Sequence, residues 1–188
     1  MPRLSIFSPQ DRQKWSIPET RADEDTLLLA ASNGKSLASH TPPTWRVAAY
    51  RGARVSDLVR ILEKGTIPAQ IKTIVISIGL NDRLVVNTPL HNSTTRLKTL
   101  LHNLEAQDRK IAILQLPFFR INTAELDAGT RAFNEHLTDL FDDCGWLVQI
   151  PADFRAVSKY PGDASHFDDA ACKLLVNLTT NVLGGYLN

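Results

Sequence analysis

Five short apolar runs, each followed by a polar turn, limit what this chain can fold into more than any other feature. They cover residues 26–31, 44–50, 72–79, 110–117 and 146–151, and are rich in β-branched or aliphatic side chains. Runs of this length bounded by turn residues read as buried strands. The segments between them have helical spacing. Val55, Leu58, Val59 and Leu62 step along one helix face and Gly65 follows as a stop. Leu97, Leu100, Leu101 and Leu104 repeat the step. Asn122, with Glu125 three residues on, predicts the cap of a third helix carrying Leu126, Phe133, Leu137, Leu140 and Cys144 up to Gly145. Ala171, Leu174, Leu175, Leu178 and Val182 mark a fourth, ended by Gly184-Gly185. Strands alternating with amphipathic helices predict an α/β three-layer sandwich with a five-stranded, mostly parallel sheet. The simplest strand order is the flavodoxin-like 2-1-3-4-5.

At 188 residues and 43% hydrophobic content, the chain is long enough to bury a core without metal or disulfide staples. Residues 1–24 are rich in proline and charge, with Phe7, Trp15 and Ile17 as isolated anchors. They predict an extended arm laid over one domain spanning 25–188. Net charge is +1, which gives no global drive toward nucleic acid or an anionic surface. The first 94 residues hold twelve basic against eight acidic side chains, and the rest nine against twelve. Cys144 and Cys172 lack the spacing of a zinc site, so no metal and no cofactor is expected. The first residues contain no signal-peptide core and no run approaches the ~20 apolar residues of a membrane span, predicting an intracellular protein of cytoplasm or nucleus.

The chemically loaded residues fall just past the strand-like runs. A parallel sheet gathers the carboxyl ends of its strands on one rim, where ligands bind. Ser32 follows the first run and Asn33-Gly34 turns the chain after it. A serine there is a candidate nucleophile, although serine is also a common helix cap. Gly52 follows the second run and offers a backbone N–H that no side chain obstructs. Asn81, in Gly79-Leu-Asn81-Asp82, supplies a side-chain amide at the end of the third. With the Ser32 N–H, these two donors could stabilise a tetrahedral oxyanion. Before the last helix stands Gly162-Asp163-Ala-Ser-His166. A carboxylate three residues before a histidine can hold Nδ1 and leave Nε2 free to take a proton. Ser32, His166 and Asp163 therefore read as nucleophile, base and orienting acid.

In combination these residues resemble the SGNH or GDSL-type hydrolases, whose pattern is Gly-Asp-Ser, Gly, Gly-x-Asn-Asp and Asp-x-x-His in order. The matches are Ala30-Ala31-Ser32, Gly52, Gly79-Leu80-Asn81-Asp82 and Asp163-Ala164-Ser165-His166. The resemblance runs from about Asp25 to the carboxyl end and implies a serine hydrolase acting through an acyl-enzyme on a small-molecule or lipid ester. A nearer likeness is to the esterase-like domains of some animal retroelements, carried by Trp15-Ser-Ile-Pro18, Leu27-Leu28-Leu29 with Ser32-Asn33, Ser77-Ile-Gly-Leu-Asn81 and Tyr186-Leu-Asn188. Two departures stand out. Ala30-Ala31 replaces the family's Gly-Asp, and Phe167 replaces the retroelement group's tryptophan, which would keep an aromatic wall beside His166.

Two other functions fit the same residues less well. The missing carboxylate and the basic Arg46, Arg51, Arg54 and Arg60 suit a catalytically impaired binding or scaffolding module, associated with retroelement nucleic acid. Asn33-Gly34-Lys35-Ser36 ends like a phosphate-binding loop, but Leu29 stands where its first glycine belongs.

Overall fold

The computed structural model describes residues 4–121 and 123–185. Six strands form one parallel sheet: β1 (Leu4–Phe7), β2 (Thr26–Ala30), β3 (Trp45–Tyr50), β4 (Thr73–Ser77), β5 (Lys110–Leu114) and β7 (Leu147–Val148). Their spatial order is β1-β3-β2-β4-β5-β7. The five expected strands thus take the expected order, and a sixth joins at the edge. That strand comes from the segment expected only as an arm: Leu4 to Phe7 pair in parallel with Val47 to Tyr50. Four residues ending just before Pro9 carry too little alternation to announce a strand.

The strands end earlier than the apolar runs, for visible reasons. After β5, the main chain of Leu116 turns to the side chain of Asn134, which accepts from Leu116 N–H and donates to its carbonyl, each at 2.8 Å. After β4, Gly79 adopts φ +132°. A β-carbon there would stand 2.3 Å from Cζ of Phe133, so the turn that presents Asn81 needs glycine twice over.

Strand alternation splits the core into two layers. Leu27, Leu29, Ile74, Ile76, Ile111 and Ile113 face α2 (Val55–Lys64), α3 (Thr88–Glu105) and α4 (Ala124–Phe141), meeting Leu58, Leu97, Phe133 and Leu137. Leu28, Ala30, Val75, Ala112 and Val148 face α1 (Gly34–Ala38) and α5 (Asp169–Gly185), meeting Leu37, Cys172 and Leu175. Each fully buried Leu or Phe contributes roughly 1.5–3 kcal/mol, enough to hold helices on both faces. On the second face α1 lies very close to the sheet. A β-carbon on Gly34 would meet those of Ala49 and Ala30 at 2.9 and 3.0 Å.

Helix α4 starts one residue later than expected. Thr123 caps it, its hydroxyl accepting from Leu126 N–H at 3.2 Å. Asn122, the expected cap, lies outside the described residues, as does Tyr186-Leu-Asn188. Beyond the main sheet, β6 (Phe118–Phe119) and β8 (Arg155–Ala156) make a small parallel pair from the loops after β5 and β7. Two-residue strands leave no periodic signal. Among the described residues, no helix is long and apolar enough to cross a membrane, and no three metal-ligating side chains form a cluster.

Candidate active site

Ser32 lies two residues past β2, half-buried, in the turn that leads into α1. The next residue does the positioning. Asn33 is 2% exposed, and its side chain reaches the loop before α5. Its Nδ2 donates to the Ser165 carbonyl at 2.6 Å, and its Oδ1 accepts from Phe167 N–H at 3.0 Å. Both neighbours of His166 are therefore clasped by the residue next to Ser32, across more than 130 positions of sequence.

The His166 loop is also bonded within itself. Nδ1 of His166 lies 2.5 Å from Oδ2 of Asp163, while Oδ1 of Asp163 accepts from Ser165 N–H. Lys159 N–H donates to the His166 carbonyl and Asp163 N–H to that of Tyr160. The half-buried imidazole meets the exposed Tyr160 ring edge-on at 5.7 Å. Among the described residues, no hydrogen bond joins the imidazole to Ser32. Catalytic bonds are often open in the absence of substrate.

Arg83 supports this loop from the β4 side. It is 5% exposed, and one terminal nitrogen donates to the Ala164 carbonyl at 2.9 Å. Its other terminal nitrogen is buried with no hydrogen-bond partner among the described residues. Burial lowers its proton affinity, and the Asp163 and Asp127 carboxylates oppose that shift. Phe167, expected as an aromatic wall, lines a pocket with Ala31, Asn33 and Gly79. It is 2% exposed and stacks on Phe119 at 5.4 Å, so it anchors the histidine loop to β6.

The donor side is assembled from three segments. Gly52 sits in the turn after β3 at φ +76°. On its flanks, Arg51 N–H donates to Phe7 and Ala53 N–H to Tyr50. Close to Ser32, Ala31 N–H and Gly34 N–H donate to the carbonyls of Ser77 and Ala31. Among the described residues, neither Ser32 N–H nor Gly52 N–H has a protein acceptor, so both are available. Asn81 is exposed and donates from Nδ2 to the Ala53 carbonyl at 2.9 Å. The primary amide carries a second hydrogen. Asp82, 7% exposed, accepts from Val55 N–H at 3.1 Å. Burial pushes its carboxyl up to about 6, against the pull of Val55 N–H and Arg54.

The Ala30-Ala31 departure has a packing counterpart. Ala31 is 3% exposed and belongs to the apolar layer with Tyr50, Ala53, Val55 and Ile78. A carboxylate there would be buried in that layer, a costly place for charge. Of the basic cluster, Arg46 is committed to Ser5 and Glu24, and Arg60 to Asp57 and the Arg12 carbonyl.

Asn33, Asp82, Arg83 and Tyr160 carry weight that sequence reasoning did not assign. The only signal was adjacency, since Asn33 directly follows Ser32 and Asp82 directly follows Asn81, with Arg83 one residue further on.

No family model and no curated relative matches the sequence. Solved structures do. A G-D-S-L family protein from Desulfitobacterium hafniense DCB-2, described as lipolytic, is 13% identical and superposes with a TM-score of 0.61 over 85% of this chain and 99% of that one. A protein assigned to the SGNH hydrolases from Slackia heliotrinireducens is 17% identical, with a TM-score of 0.59 over 86% and 99%. An acetyl xylan esterase from Geobacillus stearothermophilus is 14% identical, with a TM-score of 0.65 over 86% and 94%. At such identities the likeness is one of architecture. The chain has the α/β fold shared by SGNH and G-D-S-L hydrolase structures.

Proposed function

We propose that this chain is a serine ester hydrolase acting on small carboxylic esters through an acyl-enzyme. Ser32 Oγ attacks the carbonyl carbon while His166 Nε2 takes its proton. Asp163 Oδ2 accepts from Nδ1–H, fixing the tautomer and stabilising the imidazolium. The tetrahedral oxygen receives Ser32 N–H, Gly52 N–H and the free amide hydrogen of Asn81. Collapse of the intermediate breaks the ester C–O bond, and the imidazolium gives its proton to the leaving alcohol. A water then repeats the sequence on the acyl-enzyme and returns Ser32.

The observation that carries this reading is the Asn33 clasp, which ties the residue beside Ser32 to both neighbours of His166. The esterase among the structural neighbours supports the substrate class. We also read the layout of Trp15-Ser-Ile-Pro18, Ser32-Asn33 and Ser77-Ile-Gly-Leu-Asn81 as that of a retroelement esterase-like domain, with residues 1–24 serving the unit at 25–188. Hydrolysis of nitrophenyl esters of increasing acyl length tests the chemistry. Wild type should turn over the short esters, and Ser32→Ala should lose about 10⁴-fold or more of that rate. Equal turnover by Ser32→Ala would remove Ser32 as the nucleophile, and no turnover by wild type would leave a binding module on the same fold.

A further inference from the structure

Residues 4–14 hold the Gly52 turn at two points. Phe7, the last residue of β1, accepts from Arg51 N–H at 3.2 Å. Arg12, in the 3-10 segment Pro9–Lys14, donates from a terminal nitrogen to the Gly52 carbonyl at 3.1 Å. That nitrogen would also lie 3.4 Å from a β-carbon on Gly52, so the guanidinium lies across this residue as well as bonding to it. The cation is itself held on two sides. It lies over the ring of Trp15 at 5.1 Å, and its other terminal nitrogen is 3.8 Å from Asp57 Oδ2. Trp15 is 4% exposed and donates from Nε1 to the Ser8 carbonyl, which fixes the platform. Asp57 accepts from Arg54 N–H at the start of α2, and Arg60 of the same helix bonds to both Asp57 and the Arg12 carbonyl.

This arrangement has a consequence for Gly52. Glycine at φ +76° pays no steric penalty, but it visits negative φ about as readily, so nothing in the residue keeps its N–H aimed one way. A charge-assisted bond to its carbonyl fixes the adjoining peptide plane and holds the turn in one conformation. Oxyanion donors act through such preorganisation, because a donor that must reorient during the reaction loses its advantage.

We propose that Arg12 is a positioning residue that fixes the Gly52 N–H for the oxyanion, making the amino-terminal segment part of the catalytic apparatus. The inference rests on the serine hydrolase reading and adds a role for the segment outside the Ser32, Gly52, Asn81 and Asp163-His166 matches. Arg12 touches neither substrate nor reacting atoms. Its side chain is 39% exposed, so its removal leaves the core intact.

The test uses the full chain, comparing wild type with Arg12→Ala and Arg12→Lys. Three quantities are read: kcat and KM on a short nitrophenyl ester, the second-order rate of labelling by a fluorophosphonate, and Tm. For Arg12→Ala we expect kcat and labelling rate to fall about 10-fold or more, KM to stay within about twofold, and Tm to move by a few degrees at most. Arg12→Lys, which keeps one donor but loses the fork, should recover part of the loss. Millimolar guanidinium should restore turnover to Arg12→Ala and leave wild type unchanged. A purely structural arginine would not give that rescue. Unchanged kcat in Arg12→Ala, or loss of kcat with a matching fall in Tm and no recovery by lysine or guanidinium, overturns the proposal and leaves the hydrolase reading standing. A wild-type chain that neither hydrolyses esters nor takes up the phosphonate overturns both.

Discussion

The two halves of the candidate site's rim are built in opposite ways. The histidine loop is held mainly by short-range bonds: Asp163 to His166 and Ser165, Lys159 to His166, and Asp163 to Tyr160. The donor loop around Gly52 is held from afar, by Phe7 and Arg12 on one side and by Asn81 and Asp82 on the other. Those bonds span 27 to 40 or more positions, and several involve charge. A loop that bonds within itself writes its geometry into local spacing. A loop that borrows its geometry does not, and depends on distant segments staying folded. Asn33 and Arg83 are the exceptions on the histidine side, and they tie that loop to the rest of the rim.

The largest expected effects fall on the histidine side, because in the proposed reaction His166 carries the moving proton. His166→Ala should cost about 10⁴-fold or more in kcat, and Asp163→Asn should approach the same loss by favouring the wrong tautomer. The comparison breaks if Asn81→Ala proves as damaging as His166→Ala, since one oxyanion donor contributes only about 10²–10³-fold.

Removing the cross-ties comes next. Asn33→Leu leaves the buried Phe167 N–H unpaired, at about 1–3 kcal/mol, and frees the part-buried Ser165 carbonyl. Denaturant unfolding should show that loss, and kcat should fall further than the donor-loop variants because Ser32 and His166 lose their shared anchor. Arg83→Met should cost about 1–3 kcal/mol through the freed Ala164 carbonyl. An Arg83→Met enzyme with wild-type stability would show that the histidine loop needs no support from Arg83.

The donor side carries the subtler pH signature. The Asp82 carboxyl is raised from its ordinary value to about 6 by burial. A raised carboxyl means that the folded chain binds the proton more tightly than the unfolded one. Its favourable contribution is therefore complete below about pH 4 and is lost as pH rises through about 6, by about 3 kcal/mol in total. Asp82→Asn keeps an acceptor for Val55 N–H and removes this slope, so the variant should gain stability relative to wild type at pH 7 and none at pH 4. Parallel stability curves for the two proteins between pH 4 and 7 would place the titration elsewhere.

The same contrast explains what the sequence disclosed. Strand positions and order were legible because buried parallel strands are continuous apolar runs, as in Leu27 to Ala30 and Ile74 to Ile76. The Asp163-His166 pair was legible because three residues suffice to bring the two side chains together. Leu4–Phe7 escaped because four half-exposed residues at a sheet edge look like any extended segment. Arg12 and Arg83 escaped for another reason. A lone arginine has no sequence context that names a carbonyl 40 or 81 residues away. The packing of Phe167 on Phe119 escaped because Phe119 lies in a strand too short to foresee.

Mapping the adduct left by a fluorophosphonate tests the central claim most directly, since only an activated serine beside its base and oxyanion donors reacts quickly. Mass analysis of the labelled wild-type chain should place a single adduct on Ser32, with labelling abolished in Ser32→Ala and strongly slowed in His166→Ala. An adduct on another residue, or labelling that persists in Ser32→Ala, would contradict the account.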